Sequence, residues 1–136
     1  MAPFFSKTEA VLFSPLKGTL TYKGEPAANA EITLLLRWKD DKGETFHYRT
    51  NERGEFSIPE HRGTYRGGAL VTLVVDQEIR VTYKSSDYLI WDISTKGGEK
   101  FGELGAEPSG LRCELLRELE SLRTPNSLGK VACKWD

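Results

Sequence analysis

Short runs of alternating apolar and polar residues, separated by turn residues, make up most of this chain. The clearest run covers residues 31–38, where Ile32, Leu34 and Leu36 fall on one face of a strand by their period of two. The turn sequence Asp40-Asp41-Lys42-Gly43 follows directly. Turn signals of this kind recur at intervals of roughly 8–12 residues, a spacing typical of an all-β sandwich or barrel.

The same pattern predicts the order of the main strands. We expect the first full strand at residues 16–22, the second at 28–38, and a central strand at 69–76, which is the most apolar run. A short strand at 55–58 would point Phe56 into the core. Together these elements predict an antiparallel, immunoglobulin-like β-sandwich of about 7–8 strands.

The 136 residues fit one domain. Residues 1–10 are predicted to be a loosely held lead-in, and residues 11–136 the sandwich. The glycine-rich residues 61–68 predict a loop, and residues 96–110 a long surface loop that should tolerate substitution.

The C-terminal extension, residues 111–136, has an ambiguous pattern. Residues 111–116 alternate as a strand does, whereas leucines at helical spacing follow them. We predict a strand at 111–116 and then a turn or a possible short C-terminal helix at 117–123.

Charge and composition exclude several functions. The chain has 19 basic and 20 acidic residues, so no overall field favours nucleic acid. Its longest apolar runs are far short of the roughly 20 residues that span a bilayer, so we expect no membrane insertion. The N-terminal sequence does not resemble a secretory signal, which predicts a cytoplasmic protein, with periplasmic location or export without a signal as the alternative.

The two cysteines, Cys113 and Cys133, leave two interpretations open. In a cytoplasmic protein, two buried free thiols are favoured. A disulfide that ties the tail together is the alternative, because each cysteine ends or begins a strand-like run.

Catalytic and cofactor motifs are not found in the sequence. There is no G-x-S-x-G nucleophile turn, and the glycines at 63–68 lack the Lys-Ser/Thr of a phosphate-binding loop. His47 and His61 do not supplement the cysteines at the spacing of a metal site. We therefore expect a protein that is not an enzyme and has no catalytic residues, metal or cofactor.

One group of residues has the composition of a contact surface. Arginine and tyrosine dominate the residues on which protein–protein binding depends most. They cluster here, with one lysine, as a candidate partner-binding group: Arg62, Tyr65, Arg66, Arg80, Tyr83 and Lys84.

Two glycine turns carry a resemblance to a known family. The first is Gly24-Glu25-Pro26 with the following Ala27 to Ile32, and the second is Thr50-Asn51-Glu52-Arg53-Gly54-Glu55-Phe56. This pattern resembles the carboxypeptidase regulatory-like domain, with Asn29 at a position where that family usually has glycine. The resemblance implies a transthyretin-like (prealbumin-like) sandwich.

Later features, the run 88–91 and the ending Cys133-Lys134-Trp135, are similar to bacterial single-domain proteins of this class. Such domains accompany extracellular and secretion-system proteins. The resemblance implies a module that binds another protein, in its most specific form an accessory or immunity protein for a co-encoded, secreted antibacterial toxin of a type VI secretion system. The alternative is a carbohydrate-binding or structural accessory domain that uses an exposed tryptophan.

Overall fold

The computed structural model describes residues 7–66 and 72–136, and this part of the chain is all β. It contains no helix. The strands are β1 (Lys7–Phe13), β2 (Leu16–Tyr22), β3 (Glu25–Pro26), β4 (Glu31–Arg37), β5 (Glu44–Arg49), β6 (Glu55–Ile58), β7 (His61–Arg66), β8 (Val74–Tyr83), β9 (Ser86–Lys96), β10 (Arg112–Glu114), β11 (Glu120–Arg123), β12 (Ser127–Val131) and β13 (Cys133–Lys134).

Six strands form one layer, in the order β11-β12-β9-β8-β4-β5. All neighbouring pairs in this sheet are antiparallel. Its inner face follows the period of two, so that Ile32, Leu34 and Leu36 of β4 are buried, as the sequence pattern predicts. The central position of β8 also agrees with the sequence, although residues 69–71 of the predicted strand lie outside the described residues.

The second layer is built around β2. One side of β2 pairs with β6 and then β3, and the other side pairs with β10, which continues to β13. The β2–β10 pair is parallel, an exception to the antiparallel pairing that the sequence predicts for the sandwich.

The segment β1–β2 pairs with the segment β6–β7 as a long two-stranded ribbon, interrupted once between β1 and β2. Phe13 lies opposite His61 and Leu16 lies opposite Ile58, so both strands advance three residues across this break and keep their register. The break falls at Pro15, which has no backbone N–H to donate to a ladder. Breaks of this kind, together with short strands of two to four residues, explain why thirteen strands are described where about 7–8 were expected.

The two layers share one hydrophobic core. Trp91 of β9 and Phe13 of β1 are both 1% exposed, and their ring centroids lie 6.2 Å apart across the interior. Ile58 and Leu20 of the second layer are also buried in this cluster. A β-sandwich is therefore the observed architecture.

Two local predictions are wrong, and one alternative left open at the C-terminus is decided. Residues 61–66 form β7 rather than a loop. Residues 7–10 of the predicted lead-in belong to β1, which pairs with β7, and residues 1–6 lie outside the described part. Residues 117–123, predicted to form a turn or a short helix, contain no helix; a turn at 115–116 leads into β11. Here the backbone pairs with β12, which decides the conformation against the helical spacing of the leucines.

Candidate functional site

Two tight turns from different layers lie side by side at one end of the sandwich. Tyr22 pairs with Glu25 around the turn Lys23-Gly24, and Tyr83 pairs with Ser86 around the turn Lys84-Ser85. All four turn residues have positive φ, 54° and 80° in the first turn and 50° and 66° in the second. Two-residue turns with positive φ at both positions suit the right-handed twist of hairpin strands.

The adjoining turns bring three tyrosine rings together. The ring centroid of Tyr22 lies 5.5 Å from that of Tyr83 and 6.3 Å from that of Tyr88. Each ring is half-buried, and all three pack against the edge of the hydrophobic core. Tilted and edge-to-face pairs at these separations are favourable beyond the area that they bury.

Two lysines complete this group. The Lys84 ammonium lies 5.1 Å from the Tyr22 ring centroid and 5.5 Å from that of Tyr83, and the Lys23 ammonium lies 5.4 Å from the Tyr22 ring. Both lysines are exposed. Tyr22, Lys23, Tyr83, Lys84 and Tyr88 are called the hairpin cluster below.

Glu114 of β10 holds the first turn in place. Its carboxylate accepts hydrogen bonds from the backbone N–H of Gly24 at 2.9 Å, the hydroxyl of Thr21 at 3.1 Å and the N–H of Leu116 at 2.8 Å. Partial burial raises the pKa of Glu114, but the hydrogen bonds from Leu116, Gly24 and Thr21 together bring it below its usual value. The charged carboxylate therefore fixes the base of the hairpin cluster.

The six residues of the predicted partner-binding group do not form one surface. Tyr65 and Arg66, near the end of β7, border an open hollow together with Val74 at the start of β8. Tyr83 and Lys84 lie at the other end of β8, a ten-residue strand. Such a strand is about 30 Å long at the usual rise per residue, so the two halves of the group are separated.

The remaining two arginines are engaged in surface ion pairs. Arg62 lies 3.2 Å from Glu60 and 3.7 Å from Glu9, and Arg80, on the outer face of the six-stranded sheet, lies 3.0 Å from Glu78. Exposed pairs of this kind contribute at most about 1 kcal/mol to stability.

The sequence pattern missed Tyr22, Lys23 and Tyr88 as members of the site. Two signals were present, since Lys23-Gly24 and Lys84-Ser85 each join two strand-like runs by two residues. The two turns lie side by side because of the way the two layers pack. The alternation of residues along single strands does not predict this packing.

The two histidines occupy different environments. His47 is exposed on the outer face, whereas His61 packs against Phe46 with a centroid distance of 4.2 Å. Its Nε2 accepts a hydrogen bond from the hydroxyl of Tyr48 at 2.6 Å when the ring is neutral. Burial lowers the pKa of His61, and the nearby charge of Glu44 offsets part of this effect.

A disulfide joins Cys113 of β10 to Cys133 of β13 in the structure. The two residues lie directly opposite each other in the sheet and are 1% and 4% exposed. Two free thiols, the interpretation favoured for a cytoplasmic protein, are not what the structure contains. The bond lies where the chain leaves the six-stranded sheet after Val131 and enters the second layer.

The three tryptophans differ in exposure. Trp91 is buried and donates its indole N–H to Gln77 at 3.0 Å, while Trp38 and Trp135 are half-buried. Within residues 7–66 and 72–136, no three His, Cys, Asp or Glu side chains come together as a metal-ligand set. The described part of the chain also has no helix of the length and hydropathy needed to cross a bilayer.

Comparison with known families gives one match. A family model described as a domain of unknown function, DUF6795, matches residues 16–118. The matched region runs from β2 to β10 and so includes both turns of the hairpin cluster and Glu114. No curated protein and no solved structure matches the chain.

Proposed function

The chain belongs to the family of the domain of unknown function DUF6795, and we propose that it is a non-enzymatic protein-binding module whose contact surface is centred on the hairpin cluster. The observation that carries the proposal is the meeting of two tight turns, from two layers, that present Tyr22, Tyr83 and Tyr88 with Lys23 and Lys84. Binding residues are commonly placed on turns that a rigid scaffold positions.

The chemistry of the cluster suits a protein partner. Tyrosine side chains supply large, rigid contact area together with a polar hydroxyl, and they are enriched among residues that dominate binding energy. The hydrogen bonds of Glu114 and the packing of the rings hold the cluster in one arrangement before binding. Preorganisation of this kind lowers the entropic cost of association.

In its most specific form, the proposal names a secreted antibacterial toxin encoded beside this chain, in a type VI secretion context, as the partner. This chain would then be its accessory or immunity protein. That form rests on the resemblance of the sequence to bacterial single-domain proteins of this class.

The disulfide supports an exported location for the protein. Disulfides persist in oxidising compartments such as the bacterial periplasm and are rare in the cytosol. The Cys113–Cys133 bond therefore favours the periplasmic or exported alternative over the cytoplasmic one as the place where binding occurs.

Affinity purification from the native cell, followed by measured affinities for the purified products of the adjacent genes, tests the proposal. Lys84→Glu changes an exposed turn residue of the cluster, and Lys42→Glu is the matched control on the exposed β4–β5 turn. We expect Lys84→Glu to lower the affinity for the partner at least tenfold and Lys42→Glu to change this affinity by less than twofold.

Two outcomes would overturn the proposal. One is equal partner affinity for both variants, which would place the contact elsewhere. The other is that no adjacent gene product and no co-purified protein binds at all; a change of tryptophan fluorescence with a glycan panel would then support the carbohydrate-binding alternative. Circular dichroism of each variant verifies that the sandwich is intact.

A further inference from the structure

Two of the most exposed large apolar side chains lie at the same corner of the six-stranded sheet. Val74 is 49% exposed and Leu128 is 56% exposed. On the strand between them, Val74 lies opposite Lys96 and Leu128 lies opposite Ser94, so all four side chains are on the outer face. Neighbouring strands are about 4.8 Å apart, so the two apolar side chains are separated by roughly 10 Å across the sheet.

The two charged residues that line the surface between these apolar side chains are both positive. Val74 and Leu128 border an open groove of about 310 Å³ whose charged lining residues are Lys96 and Arg123. Neither cation forms an ion pair with the described residues, and residues 1–6 and 67–71 contain no aspartate or glutamate.

Two other arginines of this outer face are engaged in ion pairs. Arg80 and Arg49 on the same face are paired with Glu78 and Glu31. The carboxylate of Asp76, opposite Ser94, accepts a hydrogen bond from the Ser94 hydroxyl. Val74, Lys96, Arg123 and Leu128 thus form a basic corner, in which apolar surface coincides with two cations that form no ion pair with the described residues.

We propose that the basic corner is a second docking surface, which binds an acidic, extended segment of a protein partner that also carries apolar side chains. The two exposed apolar residues supply a dry centre for the contact, and Lys96 and Arg123 supply a charged rim. Complementary charge steers such a segment to the surface and disfavours basic competitors.

This surface is separate from the hairpin cluster. Val74 begins β8 and Tyr83 ends it, so the two surfaces lie about 30 Å apart along the ten-residue strand. The proposal therefore goes beyond the proposed function, because the domain can hold a second partner segment while the hairpin cluster is occupied. Variants at one surface should leave the other intact.

Fluorescence anisotropy with a labelled six-residue peptide of alternating glutamate and leucine tests the basic corner. A peptide with lysine in place of each glutamate is the charge control. We expect the acidic peptide to bind and the basic peptide not to bind, with an affinity that falls as salt is added. The double variant Lys96→Glu/Arg123→Glu should lower the affinity for the acidic peptide at least tenfold, and Leu128→Ser should lower it severalfold.

The control variants separate this proposal from the proposed function. Lys42→Glu and the hairpin variant Lys84→Glu should bind the acidic peptide as the unmodified protein does. If Lys84→Glu does not weaken binding of the partner at the hairpin cluster, the expected result of the peptide experiment stays the same. If the acidic peptide does not bind at the basic corner, the test of the hairpin cluster is likewise unaffected.

Three results would overturn the basic corner as a docking surface for an acidic segment. The first is absence of peptide binding, or equal binding by the double charge reversal. The second is self-association in analytical ultracentrifugation that Leu128→Ser abolishes, which would assign the surface to a second copy of the chain. The third is binding to phosphatidylserine vesicles with no binding to the peptide, which would assign it to a lipid surface.

Discussion

The carboxylate of Glu103 accepts two hydrogen bonds from Ser14, one from its backbone N–H at 2.8 Å and one from its hydroxyl at 2.6 Å. The side-chain amide of Gln77 donates a third at 2.9 Å, and Gln77 in turn accepts the indole N–H of Trp91. Glu103 is 6% exposed although it belongs to the segment 96–110. This network fixes that segment to the core, so its predicted tolerance to substitution does not extend to Glu103.

Glu103→Ala should destabilise the protein strongly. Removal of the carboxylate leaves the Ser14 N–H and one N–H of the Gln77 amide buried without an acceptor, while the other Gln77 N–H keeps its bond to the Leu12 carbonyl. Each unsatisfied group costs about 1–3 kcal/mol. Urea unfolding measures this loss. Glu107→Ala, at an exposed position of the same segment, is the control and should change the free energy of unfolding by less than about 0.5 kcal/mol. Equal stability of the two variants would contradict the network.

Phe56→Ala should also lower the free energy of unfolding. Phe56 is 6% exposed, lies opposite Gly18 in the β2–β6 pair and belongs to the core cluster. Truncation of a buried aromatic side chain costs about 3–5 kcal/mol. Ser57→Ala, at the next and exposed position, is the control for urea unfolding. A loss of less than about 1 kcal/mol would show that the ring is not packed as described.

Removal of the disulfide should weaken the C-terminal corner of the sandwich. Cys113 and Cys133 are 20 positions apart, and a bond that closes a loop of this size stabilises a protein by about 2–4 kcal/mol. The double variant Cys113→Ser/Cys133→Ser should lose this amount in urea, and added reductant should affect only the unmodified protein. Alkylation of both thiols in unfolded, unreduced protein would show that the bond is absent.

Acidification should destabilise the fold through His61. Burial lowers the pKa of His61 below its usual value of 6.5, so the unfolded chain binds the proton first as the pH falls. The contribution of this group to stability is full above about pH 6.5 and declines as the pH falls from there through the lower pKa of the folded state.

Unfolding curves between pH 5 and pH 8 measure this dependence. His61→Gln should flatten the pH dependence of the free energy of unfolding in this range, because glutamine does not titrate. His47→Gln, at the exposed histidine, should leave it unchanged. A pH dependence of the free energy of unfolding that is lost in His47→Gln and kept in His61→Gln would contradict the assignment to His61.

Prediction from the sequence was reliable wherever the residues of a single strand decided the outcome. The period of two in β4 placed Ile32, Leu34 and Leu36 inside, and the glycine at the β4–β5 turn has the positive φ of 72° that its position required. It was less informative for β7, because the glycines and arginines of residues 61–66 do not resemble a strand. Pairing with β1 makes this segment a strand.

The candidate site was also only partly predictable from the sequence. Tyr83 and Lys84 were recognisable by residue type, but their neighbours Tyr22 and Lys23 are some sixty positions earlier in the chain and come from the other layer. The same packing separates Tyr65 and Arg66 from them.

By itself, the sequence determined the all-β class, the inward and outward faces of the main strands and the positions of most turns. These depend on the alternation of side chains along one strand and on the φ angles of single residues, both of which are local. Only the tertiary structure decided the burial of Glu103, the Cys113–Cys133 pairing and the composition of the hairpin cluster. Each of these depends on contacts between distant segments, which pattern along the chain does not specify.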